Sequence, residues 1–186
     1  MSASVALNLS GCVPVLIGGG FVAGGYTAMR DKKIGSTIND TKLDAAIKTR
    51  LYKISPKLYS DVSVVVDHGC VLLTGSVSDP EWVVVAERES WAVDGVVAVD
   101  NNITHGEAIT TAQTVKDGYI TSVCRTSLMC TSGVRSVNYK LKTMNNIVYV
   151  RGVSKTEEEK QLVLAKLQKV RGIKKVVSYV TVSNRK

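Results

Sequence analysis

The sequence predicts an α+β fold of two tandem α-β-β-α-β domains, each a three-stranded sheet with two helices on one face. Three observations predict it. Residues 40–105 recur at residues 117–182 without a gap, as expected of two copies of one supersecondary unit. Each copy opens with apolar residues at a helical period, Leu43, Ala46, Ile47 and Leu51 answered by Ile120, Val123, Cys124 and Leu128. Each continues into alternating strand-like runs and repeats two glycines, Gly75 with Gly152 and Gly95 with Gly172.

In the first copy the helical period predicts a helix over Asp40–Ile54, capped by Asp40 or Thr41 and stopped by Pro56. Residues 59–67 alternate Val62, Val64 and Val66 with polar neighbours, which is strand spacing. His68-Gly69 supplies the turn, and residues 70–77 return as a second strand in which Gly75 marks a bulge or a close helix approach. Ser78-Asp79-Pro80-Glu81 starts a second helix, which runs to about Val93 and ends at Gly95. Residues 96–104 form the third strand.

The second copy reads in the same way. Residues 111–131 are its first helix, and 134–143 with 147–153 are a hairpin turning at Asn145-Asn146. Ser154 is the expected cap of a helix that opens with Glu157, Glu158 and Glu159 and closes with Lys166, Lys169 and Arg171, matching the helix dipole at both ends. Residues 173–182 are the last strand. The domains span 40–105 and 111–183.

Charge divides the copies. The net charge of +8 splits into +2 over residues 1–39, −4 over 40–105 and +10 over 106–186. The second domain is expected to attract polyanions or an anionic membrane surface, unless its lysines only meet water. The cysteines form no disulfide framework. Cys124 takes the inward place of Ile47, and Cys124 and Cys130 lie on different helix faces. With only His68 and His105 present, no metal-ligand spacing exists, and no cofactor motif survives inspection. Catalytic arrangements are missing too: no Gly-x-Ser-x-Gly elbow, no His-Glu-x-x-His and no Cys–His pairing. The chain reads as a non-enzyme.

Three readings compete for the uncharged stretch Met1–Met29. Its length allows a membrane span, with Gly20 and Gly24 in a GxxxG pattern and Arg30, Lys32 and Lys33 beyond it, although Pro14 and six glycines interrupt it. Gly18-x-Gly20-x-x-Ala23 mimics a dinucleotide loop but lacks the surrounding βαβ unit. Leu9-Ser10-Gly11-Cys12 resembles the lipobox of bacterial lipoproteins, whose small residues admit a protease and whose cysteine takes a diacylglycerol thioether. Residues 1–11 then stand as a signal-peptide remnant, short and without a basic start, and 12–39 as the lipidated Cys12 followed by a Gly-rich tether. Val13, where an Asp would retain such a protein at the inner membrane, implies delivery to the outer one.

The element order, with Val71-x-Leu73-x-Gly75-x-Val77 and Val93-x-Gly95-Val96-x-x-Val99-x-Asn101, resembles the BON domain (bacterial OsmY and nodulation). The second copy carries Val148-x-Val150-x-Gly152 and Val170-x-Gly172-Ile173-x-x-Val176, departing at Ser154 and Ser178. With the lipobox and tether, the whole resembles the dual-BON outer-membrane lipoproteins. That resemblance implies palmitate and diacylglycerol on Cys12, a periplasmic location on the outer membrane of a Gram-negative cell, binding of anionic phospholipid and a part in membrane integrity. In such proteins the second domain is implicated in lipid contact.

The basic second domain agrees with it. Its first helix carries the candidate phospholipid-binding residues: Tyr119, at the edge of the buried stripe where the first domain has Lys42, and Lys116 one turn before it. Arg125 is a third candidate, pointing elsewhere on the helix. Tyr119 has two placements open, a headgroup boundary or a packing site against the first domain. Tyr139, Tyr149 and Tyr179 read as sheet residues. Envelope protein partners remain a rival reading. Nucleic acid is not expected, because the Gly-x-x-Gly clamp of KH domains and the aromatic pair of RRMs are missing.

Overall fold

The computed structural model describes residues 21–23 and 40–183. A short strand, β1 (Phe21–Ala23), precedes the first domain. Helix α1 (Asp40–Ile54) buries Leu43, Ile47 and Leu51, spaced four apart along one face. α1 ends at Ile54, just before Ser55-Pro56, as expected, but the chain does not go straight into a strand. After the single residue Ser55, Pro56 opens a second helix, α2 (Pro56–Asp61). The Ser55 hydroxyl accepts from the Lys57 N–H at 3.2 Å, and proline fits the first turn because that turn needs no N–H donor. Residues 59–61, expected as strand, are therefore helical.

Strands β2 (Val62–Asp67) and β3 (Cys70–Val77) pair antiparallel through a two-residue turn at His68-Gly69. Both turn residues have positive φ, 51° and 75°, as a hairpin turn of this hand requires. Helix α3 (Glu81–Trp91) starts where the Asp79 carboxylate accepts from the Glu81 N–H, and it stops two residues before Val93. β4 (Ala98–His105) returns parallel to β3, giving the order β2-β3-β4.

The second domain repeats the plan with α4 (Thr111–Met129), a 3₁₀ turn (Ser136–Asn138), β5 (Tyr139–Met144), β6 (Ile147–Ser154), α5 (Glu157–Gln168) and β7 (Lys175–Val182). Thr156, not Ser154, caps α5, accepting from the Glu159 N–H at 3.2 Å. Ser154 ends β6 instead and shares a 2.9 Å hydrogen bond with the Tyr139 hydroxyl. β1 adds parallel to β7, so this sheet has four strands, β1-β7-β6-β5. Apart from that strand, the proposed signal remnant and tether lie outside the described residues.

Gly75 and Gly152 answer the same need in each domain. They pair with Val62 and Tyr139, and a Cβ there would collide with the Asp61 and Asn138 carbonyls. The reason is close backbone approach where the chain enters the paired strand, from the last residue of α2 in one domain and of the 3₁₀ turn in the other.

Each domain closes its own core beneath its helices. Ile47, Leu51, Leu58, Val71 and Leu73 are buried in the first, and Cys124, Leu128, Val148, Val150, Val163 and Leu167 in the second. The opposite sheet faces pack on each other. Leu72 of β3 joins Tyr149, Val177 and Tyr179 in a third cluster, flanked by Val65, Met144 and Ile147.

Candidate lipid-contact surface

Helix α4 begins at Thr111, six residues ahead of Asp117, which occupies the place equivalent to Asp40 at the start of α1. The Thr110 hydroxyl caps it, accepting from the Gln113 N–H at 3.2 Å. Ile120, Cys124 and Leu128 turn inward, and the opposite side faces solvent. On that side Val115 is 69% exposed and Tyr119 is 70% exposed, four apart and hence stacked along the helix. Lys116, also exposed, stands one turn before Tyr119. Tyr119 is thus not packed against the first domain, which leaves its ring beside solvent. An apolar residue, an ammonium and an aromatic ring with a polar tip form a compact amphipathic surface.

Arg125 does not join it. Six residues beyond Tyr119, it lies about 120° around the helix. It lines a separate groove with Met129, Val137 and Lys140. Cys12 lies outside the described residues.

The charge division has a structural consequence that sequence reasoning missed. Lys140 of β5 reaches across the domain boundary to Asp40 at 3.1 Å and Asp67 at 3.2 Å. Arg151 of β6, 3% exposed, pairs with Asp100 of β4 and stacks over the Tyr179 ring at 5.3 Å. Asn102 completes the seam by donating to the Tyr179 hydroxyl at 2.6 Å. Two cations of the basic domain therefore meet carboxylates of the acidic one. Part of the positive excess of the second domain thus holds the domains together instead of facing an outside partner. The signal was in the alternation, since residues 140, 142 and 151 fall on the sheet face opposite the core.

A second aromatic surface also escaped the sequence reading, on the acidic domain. Tyr52, Ile54 and Tyr59 are exposed where α1 meets α2, with the two rings edge to face at 5.7 Å. No acid occurs from Ala45 to Ser60, whereas Lys48, Arg50, Lys53 and Lys57 do.

The remaining reactive groups are structural. Cys124 is fully buried, and burial pushes its thiol up to about 11, far from a thiolate. Cys70 is half-buried and Cys130 exposed, and all three described cysteines are free. Tyr139, Tyr149 and Tyr179 are buried sheet residues, as expected. Glu159 serves the start of α5, accepting from the Lys155 and Arg135 N–H groups at 2.8 and 2.9 Å. Among the described residues no cluster of three or more His, Cys, Asp or Glu could hold a metal, and no helix is long and apolar enough to cross a membrane.

This duplicated α-β-β-α-β architecture has a family counterpart: the sequence profile of the BON domain matches twice, over residues 39–107 and 116–184. The chain belongs to the BON-domain family. Its BON domains have relatives of similar length. One is an uncharacterized protein in the gshII 5′ region of Anaplasma centrale, 32% identical over 77% of this chain and 97% of the relative. Another is the outer membrane lipoprotein DolP of Haemophilus influenzae, 29% identical over 91% of this chain and 87% of DolP. A third is the 21 kDa hemolysin of Actinobacillus pleuropneumoniae, 26% identical over 80% of this chain and 77% of that protein.

Proposed function

We propose that this protein is a non-enzymatic envelope lipoprotein, anchored through Cys12 to the periplasmic side of the outer membrane, that binds anionic phospholipid and supports membrane integrity. The outer-membrane lipoprotein DolP among its relatives supports the location. The observation that carries the lipid reading is the exposed surface of Val115, Lys116 and Tyr119 on α4. A lysine beside an anionic leaflet contributes about 1 kcal/mol, and a tyrosine ring sits well at the headgroup level. Such contacts alone give weak, reversible binding. A covalent lipid on Cys12 would turn that binding into retention, since two signals together hold a protein where one does not.

Co-sedimentation with phosphatidylglycerol vesicles tests this. The pair Lys116→Glu with Tyr119→Ala is expected to weaken binding by about 2 kcal/mol, roughly thirtyfold, and wild-type binding is expected to fall as salt rises. Unchanged binding by the double variant, or stronger capture of an oligonucleotide at matched salt, refutes the lipid reading. Radiolabelled palmitate is expected to enter the wild type and not Cys12→Ser.

A further inference from the structure

Between the two BON domains lies a cleft of about 500 Å³. One wall is the end of α2 with Ser60 and Asp61, and the other is the side of α4 with Thr114, Asp117, Gly118 and Thr121. β5 forms the floor and contributes Lys142.

Lys140 and Lys142 sit two apart on β5 and so share one face. Lys140 is spent on Asp40 and Asp67 across the boundary. Lys142, by contrast, has neither an ion pair nor a hydrogen-bond partner among the described residues, although half-buried. Neither carboxylate of the cleft forms an ion pair with it, although the charge of Asp117 acts on it. Asp61 is held by Lys57 at 2.6 Å. Asp117 takes the Asn145 and Asn146 N–H groups at 2.7 and 2.8 Å and the Gln113 amide at 2.8 Å. Burial pushes the Lys142 ammonium below its usual range, with Asp117 opposing and Lys48 adding to the shift. Ser63, also in the cleft, has no side-chain hydrogen bond among the described residues.

Gly118 adds an independent observation. It stands inside α4, where glycine weakens a helix, yet a Cβ there would meet nothing within 4 Å. Packing among the described residues does not require it. Its absent side chain leaves the α4 wall open.

We propose that this cleft binds a phosphate ester, with Lys142 as its cation and Gly118 leaving room for the ligand. A half-buried ammonium with no ion pair among the described residues is available to an anion, and phosphate suits a lysine as a point charge. The volume fits one headgroup-sized molecule. Exposed Tyr59 and Tyr119 lie one residue from the lining residues on opposite walls, so the cleft sits between two surfaces suited to a headgroup boundary. The inference rests on the lipid reading only for the source of the phosphate, which is either a lipid headgroup or a soluble ester.

The test uses the full chain with two probes: glycerol-1-phosphate, followed by nuclear magnetic resonance, and vesicles of phosphatidylglycerol in phosphatidylcholine. In wild type, glycerol-1-phosphate or the vesicles are expected to shift the Lys142, Thr143 and Gly118 resonances. Lys142→Met and Gly118→Phe are each expected to weaken that binding at least tenfold, while Lys142→Met melts no lower than wild type. Shifts with both probes, or with vesicles alone, assign a lipid headgroup; shifts with glycerol-1-phosphate alone assign a soluble ester. Wild-type affinity in both variants, or no cleft shifts with either probe, overturns the site. If Lys116→Glu with Tyr119→Ala loses vesicle binding while Lys142→Met keeps wild-type affinity for both the vesicles and glycerol-1-phosphate, the lipid reading stands and the cleft fails. The reverse pattern sinks the α4 surface and upholds the cleft.

Discussion

Asp40 and Asp117 occupy equivalent positions and tie each domain together in the same way. Each carboxylate accepts from the two backbone N–H groups of its hairpin turn, His68 and Gly69 in one domain, Asn145 and Asn146 in the other. The helix start and the hairpin tip, about thirty residues apart, are thereby held in register. Asp117→Ala leaves these donors without their acceptor, and the expected loss is about 2 kcal/mol in urea unfolding. Acid should act at Asp40 and Glu159. Burial would raise both, yet hydrogen bonds from Gly69, His68 and Lys140 hold Asp40 below the ordinary range, and those from Arg135 and Lys155 hold Glu159 there. For a lowered carboxylate the unfolded chain binds protons first as pH falls. The stabilisation is therefore complete above about pH 4, the unfolded value, and is lost as pH drops through the folded values. Melting temperatures from pH 5 to pH 2 should fall less steeply in Asp40→Asn with Glu159→Gln than in wild type.

At the scale of elements, α4 is where the two domains diverge. It starts ahead of its repeat position, and those extra turns carry Val115 and Lys116. Gly118 interrupts it without a packing reason among the described residues, so Gly118→Ala should stabilise the chain by up to about 1 kcal/mol in urea unfolding. An unchanged or lower midpoint would mean the backbone there needs glycine. Most elements were legible because burial imposes period: α1 spans Asp40–Ile54 as its apolar spacing predicts. The misses have local causes. Pro56 both ends one helix and favours the start of the next, and only Ser55 capping Lys57 decides between them. Ser154 and Thr156 are both plausible caps by residue type. Tyr139, which takes the Ser154 hydroxyl, settles which one is used.

At the scale of the molecule, the domains are joined by a seam that is apolar at its centre and charged around it. Arg151 is nearly enclosed there, so Asp100→Ala removes a close counter-charge from it and should cost about 3 kcal/mol in urea unfolding. Replacing the pair together, Arg151→Met with Asp100→Leu, is expected to lie close to wild type, because no charge is then left buried. Equal losses for the single and double changes would mean that the ion pair itself, and not the cation left behind, sets the cost.

By itself the sequence determined the duplication, the order of elements and the inward residues, because those follow from periodicity and from glycines that short contacts demand. It also placed Lys116 and Tyr119 one turn apart, a matter of helical spacing alone. What each charge faces was decided only by the tertiary structure. Lys140, Lys142 and Arg151 look alike along the chain, yet two form ion pairs with carboxylates far away in sequence and one forms none among the described residues. Partners that distant are set by how two sheets lie against each other, and no local pattern encodes that.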